Sequence, residues 1–173
     1  MILIGLGANL PSSYGTPAQT LDAAKKALRA KGIKITASSS TWLSAPVDCK
    51  DGDPWYANAV IAVSTELYAI PLLALLHDIE AEFGRVRTYK NAPRVLDLDL
   101  ITYKDQVFRN DYLTLPHPRM HERAFVLRPM LEILDESWRH PYMGRTLSRM
   151  ISELDDTQQT KRLEEGEEYR LAG

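Results

Sequence analysis

Residues 94–101, Arg-Val-Leu-Asp-Leu-Asp-Leu-Ile, carry the strongest chemical signal in the chain. Side chains on a strand alternate faces, so Leu96, Leu98 and Leu100 are expected to enter a core while Asp97 and Asp99 share the opposite face, roughly 7 Å apart. Two carboxylates held in this way can bracket a pair of Mg2+ ions, which sit about 3.5–4 Å apart in two-metal sites. The competing reading is a solvated outer face, since any half-buried antiparallel strand alternates polar with apolar residues. Aspartate is nevertheless a poor strand former, and two in one strand cost sheet propensity that Thr or Lys would not.

The neighbouring residues strengthen the chemical reading. The preceding stretch, 84–94, brings Arg85, Arg87, Lys90 and Arg94 into the carboxylate strand. A cationic loop beside an acidic pair suits a metal-bound polyphosphate, with metals on the inner oxygens and guanidinium forks on the outer ones. Alone, such a loop reads as a charge-balancing connection. Downstream, His117, Arg119 and Arg123 lie at the start of an expected helix, whose free N–H groups also favour phosphate. His117 is held extended between Pro116 and Pro118, although a lone histidine is more often structural. His77 and Glu80 lie one turn apart on another expected helix, where the plain reading is its wet edge.

Common nucleotide loops are missing from the sequence. Gly5 and Gly7 would begin a dinucleotide fingerprint, but Leu10 takes the third glycine position, and no Gly-x-x-x-x-Gly-Lys-Ser/Thr occurs. Any triphosphate is therefore expected to be held by side chains and metals. Cys49 lies between Asp48 and Asp51, which disfavours its thiolate as a nucleophile.

These residues need a scaffold, and the spacing of apolar residues predicts one. A strand is expected over 2–6, ending at Gly7, with a loop through Asn9, Pro11, Ser12, Ser13 and Gly15. Thr16, Pro17 and Gln19 form a capping box for a helix that buries Leu21, Ala24 and Leu28 and stops at Gly32. Strands are expected over 33–42 and 57–65, separated by a long irregular loop. Pro71 opens a second helix with Leu72, Leu76, Ile79 and Phe83 at helical spacing as far as Gly84. A strand over 94–103, a tight turn at 104–106, and helices over 122–134 and 147–154 follow. From Asp155 the chain is polar and ends in an acidic run, so a domain over 1–155 and a solvated tail over 156–173 are expected. The order predicts an α+β fold with a mainly antiparallel, ferredoxin-like sheet.

Composition bounds the rest. A chain of 173 residues, 45% apolar and 25% charged, fits one globular domain able to hold a core without a metal or disulfide staple. Its single cysteine rules out an intramolecular disulfide and fits a reducing compartment, so the cytoplasm is expected. The longest apolar runs, 2–8 and 70–76, fall far short of the ~20 residues of a spanning helix, and no secretory signal is read. A net charge of −2 argues against general affinity for nucleic acid.

Five segments, in order, resemble a known family: Gly7-Ala8-Asn9-Leu10, Tyr56-Ala57-Asn58-Ala59, Gly84-Arg85-Val86-Arg87, Pro93 through Asp99, and Leu115 through Arg123 and Phe125. That family is the 6-hydroxymethyl-7,8-dihydropterin pyrophosphokinases of folate biosynthesis. The resemblance covers about residues 1–155. It implies a three-layer αβα, ferredoxin-like domain that moves the β,γ-pyrophosphoryl group of ATP to the pterin hydroxymethyl and releases AMP. It further implies that Asp97 and Asp99 hold two Mg2+ ions, that Arg85 and Arg94 stabilise the transferring group, and that Asp97 also faces the pterin. His77, Glu80, Arg87, Arg94, His117, Arg119 and Arg123 would line the ATP site. Ser44, Val47, Tyr56, Asn58 and Phe125 would line the pterin site, with Phe125 stacking on the ring. Where members often carry Gln, this chain has His77, and a common Thr-Pro-Pro-Leu segment reads Ser44-Ala45-Pro46-Val47.

Phosphoryl-type transfer needs mainly positioning and charge neutralisation, which agrees with a site lacking an obvious nucleophile. Small-molecule substrates, no nucleic acid or membrane partner, and a monomer are expected. The competing enzyme reading is a two-metal palm-type nucleotidyltransferase, which leaves Tyr56, Asn58 and Phe125 unexplained. A non-catalytic RNA-binding module on the same topology would want exposed aromatics and a basic face, against only 3 Phe and the acidic balance.

Overall fold

The first strand, β1 (Ile2–Ala8), alternates apolar residues with glycines, and its two faces meet different neighbours. The structure is a computed structural model that describes residues 1–46, 54–84 and 94–164. Helix α1 (Pro17–Ala30) starts where expected: Thr16 Oγ1 accepts the Gln19 N–H at 3.3 Å, and Gln19 Oε1 accepts the Thr16 N–H at 2.9 Å. These reciprocal bonds satisfy donors that the first helical turn leaves free. Strands β2 (Lys34–Ser38), β3 (Trp42–Ser44) and β4 (Tyr56–Ser64) follow, then α2 (Ala69–Glu82) and β5 (Asp97–Tyr103). A small hairpin of β6 (Phe108–Arg109) and β7 (Thr114–Leu115) precedes a 3-10 turn at Met120–Glu122, helices α3 (Ala124–Met130) and α4 (Leu147–Ser152), and β8 (Thr160–Arg162).

The main sheet has six strands in the order β5-β1-β4-β3-β8, with β2 also on β4, and every pair is antiparallel. This is the α+β, sheet-and-helix architecture expected from the sequence. Ile4, Leu6, Ile61 and Leu98 pack on one face with Leu21 of α1 and Leu72 and Leu76 of α2. Leu3, Val60, Ala62 and Ile101 pack on the other with Leu127 and Met130 of α3 and Leu147 of α4. Each fully buried Leu, Ile, Val or Met side chain among these contributes about 1.5–3 kcal/mol relative to exposure. The two cores make the layers α, β, α.

The second core stops short. Beyond Leu3, Val60 and Ile101, that face of the sheet carries Gly5, Gly7, Asn58, Asp97 and Asp99 in place of large apolar side chains. Registry fixes the arrangement: Gly7 stands between Asp97 and Asn58, and Gly5 between Asp99 and Val60.

Several elements differ from the sequence expectations. The strand expected over 33–42 divides into β2 and β3, because Ser39 turns inward: its N–H donates to Val60 O at 2.9 Å and its Oγ accepts the Val60 N–H at 3.0 Å. The two pieces pair with different halves of β4. Helix α2 begins two residues before Pro71, which sits in the first turn where its missing N–H costs nothing. The third helix is shorter than 122–134, because Arg123 is extended at its start and past Met130 the ladder becomes irregular, with three-residue bonds from Glu132 N–H to Pro129 O and Ile133 N–H to Met130 O beside one four-residue bond from Leu134 N–H to Met130 O. The start of the expected solvated tail is ordered. Gln158 Oε1 accepts the Ala124 N–H and its Nε2 donates to Glu122 O, tying 155–158 to α3 before β8 joins β3.

Candidate active site

Leu96, Leu98 and Leu100 are at most 3% exposed, so β5 turns the expected face inward. Asp97 and Asp99 consequently share the other face, which is the floor of a cleft and not a solvated surface. A cavity of about 1230 Å3 lies over this floor, lined by Gly5, Gly7, Asn58, Asp97, Asp99 and Phe125 among others. Glycines inside a strand mark places where something must approach the backbone closely, and here they keep the floor open. Because β5 is an edge of the sheet, a second cavity of about 410 Å3 runs along its free side, lined by His77, Glu80, Arg94, Asp97, Asp99 and His117. Arg94, Asp97, Asp99 and His117 line both cavities.

Arg94 reaches Asp97 directly, Nη1 to Oδ2 at 2.7 Å, with the two side chains 28% and 19% exposed. A partly buried bond of this kind is charge-assisted and directional. Asn58, on β4, is 5% exposed and its orientation is set by its amide nitrogen. Nδ2 donates to Ser44 Oγ at 2.7 Å and lies 3.4 Å from the carbonyls of Trp42 and Tyr56. Its Oδ1 therefore faces Gly7, where an added Cβ would stand 3.6 Å from it. Tyr56 lines the same cavity, and burial raises its phenol pKa, so it stays protonated.

His117 is fixed to the outer edge of β5 by its N–H, which donates to Ile101 O at 2.8 Å. Its Nδ1 accepts the Arg119 N–H at 3.2 Å, which leaves Nε2 as the protonated nitrogen. Burial, then the Arg123 charge, lowers its pKa to about 4, with Asp97 pulling the other way. At neutral pH it is an uncharged N–H donor beside the carboxylates. Arg119 and Arg123 line the larger cavity. The Arg123 guanidinium lies 5.4 Å over the Phe125 ring, and burial lowers its pKa while Asp99 opposes that shift. Phe125, in the first turn of α3, packs against the second core, and its ring forms one wall of the cleft.

The expected ATP-side residues are thus divided. His77 and the buried Glu80, on α2, line the smaller cavity, whereas Arg119 and Arg123 line the larger. Arg85, Arg87 and Val47 lie outside the described residues. Gly5 and Gly7 form no nucleotide loop, and Gly7 continues the strand instead of ending it; the alternation of these glycines with Ile4 and Leu6 is the signal in the sequence for an open sheet face. It gave no role to the hairpin of β6 and β7, whose turn, Asn110 through Leu113, forms one wall of the smaller cavity.

Among the described residues no three His, Cys, Asp or Glu side chains gather into a metal cluster. Asp97 and Asp99 are nonetheless a donor set that fits Mg2+, which prefers hard oxygen, keeps several waters, and is commonly bound by one or two carboxylates with substrate phosphates. Two carboxylates between two cavities, with arginines and a neutral histidine donor around them, have the chemistry that an enzyme of metal-assisted charged-group transfer requires.

Comparison with known proteins narrows that class. The family model for 7,8-dihydro-6-hydroxymethylpterin-pyrophosphokinase (HPPK) matches residues 3–135, and the chain belongs to this family. A 2-amino-4-hydroxy-6-hydroxymethyldihydropteridine pyrophosphokinase of Haemophilus influenzae is 40% identical over 134 residues, covering 77% of this chain and 81% of that protein. One from Methylorubrum extorquens is 37% identical, covering 88% of this chain and 92% of its own. The folic acid synthesis protein fol1 of Pneumocystis carinii is 37% identical over 90% of this chain, which spans only 20% of that longer protein. In fold, the chain is similar to a Plasmodium falciparum HPPK-DHPS crystal structure, with a TM-score of 0.63, 12% identity, and coverage of 87% of this chain and 43% of the other.

Proposed function

We propose that this chain transfers the β,γ-pyrophosphoryl group of ATP to the hydroxymethyl oxygen of 6-hydroxymethyl-7,8-dihydropterin, a step of folate biosynthesis. The pterin hydroxyl oxygen bonds to the β-phosphorus and releases its proton to solvent, the bridge between α- and β-phosphates breaks, and AMP leaves with the bridging oxygen. Family membership supports the reaction. The observation that carries it is that Asp97 and Asp99 line both cavities, so a donor and an acceptor on either side of β5 would meet at the carboxylates.

In this reading Asp97 and Asp99 hold two Mg2+ ions. Bound there, the metals would neutralise phosphate charge and hold the triphosphate in line with the acceptor. Arg94, with Arg85, engages the transferring group, Arg87 contributes to the ATP site, and the His117 Nε2–H donates a hydrogen bond to a phosphate oxygen without adding charge. His77 and Glu80 bind the remainder of ATP from the smaller cavity, and Arg119 and Arg123 reach its phosphates from the larger one beside the carboxylates. Asn58 offers Oδ1 to an N–H on the pterin edge, Tyr56, Ser44 and Val47 close that end, and Phe125 stacks on the ring, worth roughly 0.5–1.5 kcal/mol beyond burial. No helix among the described residues is long and apolar enough to cross a membrane. We take the working form to be a cytoplasmic monomer acting on small molecules.

Product analysis tests the reaction. Incubation with ATP, Mg2+ and the reduced hydroxymethylpterin should accumulate AMP and pterin diphosphate in equal amounts. Accumulation of ADP would mean single phosphoryl transfer, and release of pyrophosphate would favour the nucleotidyltransferase reading; either contradicts the proposal.

A further inference from the structure

Asn9 follows β1 directly and is 4% exposed, although it carries a polar side chain at the rim of the larger cavity. Its Oδ1 accepts the Arg94 N–H at 2.8 Å. In return the backbone N–H groups of Asn9 and Leu10 donate to the Arg94 carbonyl at 3.1 and 3.3 Å. Both backbone polar groups of Arg94 are thus held by two consecutive residues. The pairing of β1 with β5 ends at Gly7 and Asp97, so this clamp lies just beyond the regular ladder. An asparagine suits the position because its side-chain carbonyl imitates a backbone acceptor.

We infer that Asn9 is a positioning residue for Arg94, holding that residue's backbone so that its guanidinium meets Asp97 and the transferring group. The long arginine side chain has many rotamers, and the 2.7 Å contact with Asp97 depends on where its backbone is anchored. Without the Asn9 oxygen, the Arg94 N–H loses its partner and the anchor loosens from one side. Misplacement of a reacting group by ~1 Å can cost about a hundredfold in rate. The inference rests on the proposed role of Arg94, and the test separates the two.

Steady-state kinetics on the full chain, with ATP, Mg2+ and the hydroxymethylpterin, supply that test. Asn9→Ala is expected to lower kcat on the order of tenfold to a hundredfold, with KM for both substrates within about threefold. Asn9→Asp retains the oxygen acceptor and is expected to keep kcat within about threefold. In an Arg94→Ala background, Asn9→Ala should lower kcat by no more than about a further twofold, since residues acting through one another are not additive. Multiplicative losses in the double variant, an Asn9→Asp as slow as Asn9→Ala, or a loss confined to KM would each overturn the inference. Normal turnover of Arg94→Ala alone would overturn the reading of Arg94, and the inference with it.

Discussion

His117 and His140 both have pKa values pushed down to about 4 from 6.5, and both for burial first. For His140 the charges of His121 and Arg145 add to burial, and its Nδ1 accepts the N–H groups of Tyr142 and Met143 at 3.2 and 3.1 Å. A folded pKa below the unfolded one means that the unfolded chain takes up a proton first as the pH falls. The stabilisation from keeping these rings neutral is therefore complete above about 6.5 and is lost as the pH drops towards 4. Thermal melting should show a falling melting temperature between pH 6.5 and 5, above the range where ordinary carboxylates titrate. His140→Asn keeps an acceptor near the Nδ1 position and should flatten that slope. A melting temperature independent of pH in this window would contradict the burial argument. In the proposed reaction the same neutrality would let His117 donate a hydrogen bond to phosphate without competing with Arg94 for Asp97.

At the scale of elements, β1 separates what the fold needs from what the site needs. Ile2, Ile4, Leu6 and Ala8 build the first core, while Gly5 and Gly7 leave the cleft floor bare. A Cβ at Gly7 would meet only Asn58 Oδ1 at 3.6 Å and Ala57 O at 4.0 Å, which are ordinary contacts, so the fold itself tolerates a side chain there. Gly7→Val should accordingly leave the melting temperature within a few degrees, yet crowd the cleft by about 1–3 kcal/mol, weakening pterin binding roughly fivefold to a hundredfold. Calorimetry returning an unchanged pterin affinity would remove Gly7 from the site. Legibility in the sequence divides along similar lines. Helix α1 and the faces of β5 were readable because a capping box and a period of two are local signals. The break at Ser39 was not, because hydroxyl-rich residues read as strand until Val60 is known to lie across from them. Nor was β8, since Thr160–Arg162 has no apolar alternation and becomes a strand only against the edge offered by β3.

In the whole molecule, the sheet brings together residues that are far apart in sequence. Gly7, Asn58 and Asp97 come from three strands that sit side by side, and α3 lowers Phe125 over them. The identities of the carboxylates and cations were legible from Pro93 to Arg123, but the two cavities were not, because they arise from where the second core stops and where β5 leaves an open edge. Asp97 and Asp99 would act together between those cavities, and their isosteric amides test this most directly. Turnover of Asp97→Asn and Asp99→Asn, followed as AMP formed at saturating Mg2+, should fall by at least about a hundredfold in each, because each loses an anionic oxygen ligand, with the melting temperature little changed. Near-normal AMP formation by either variant would contradict the claim.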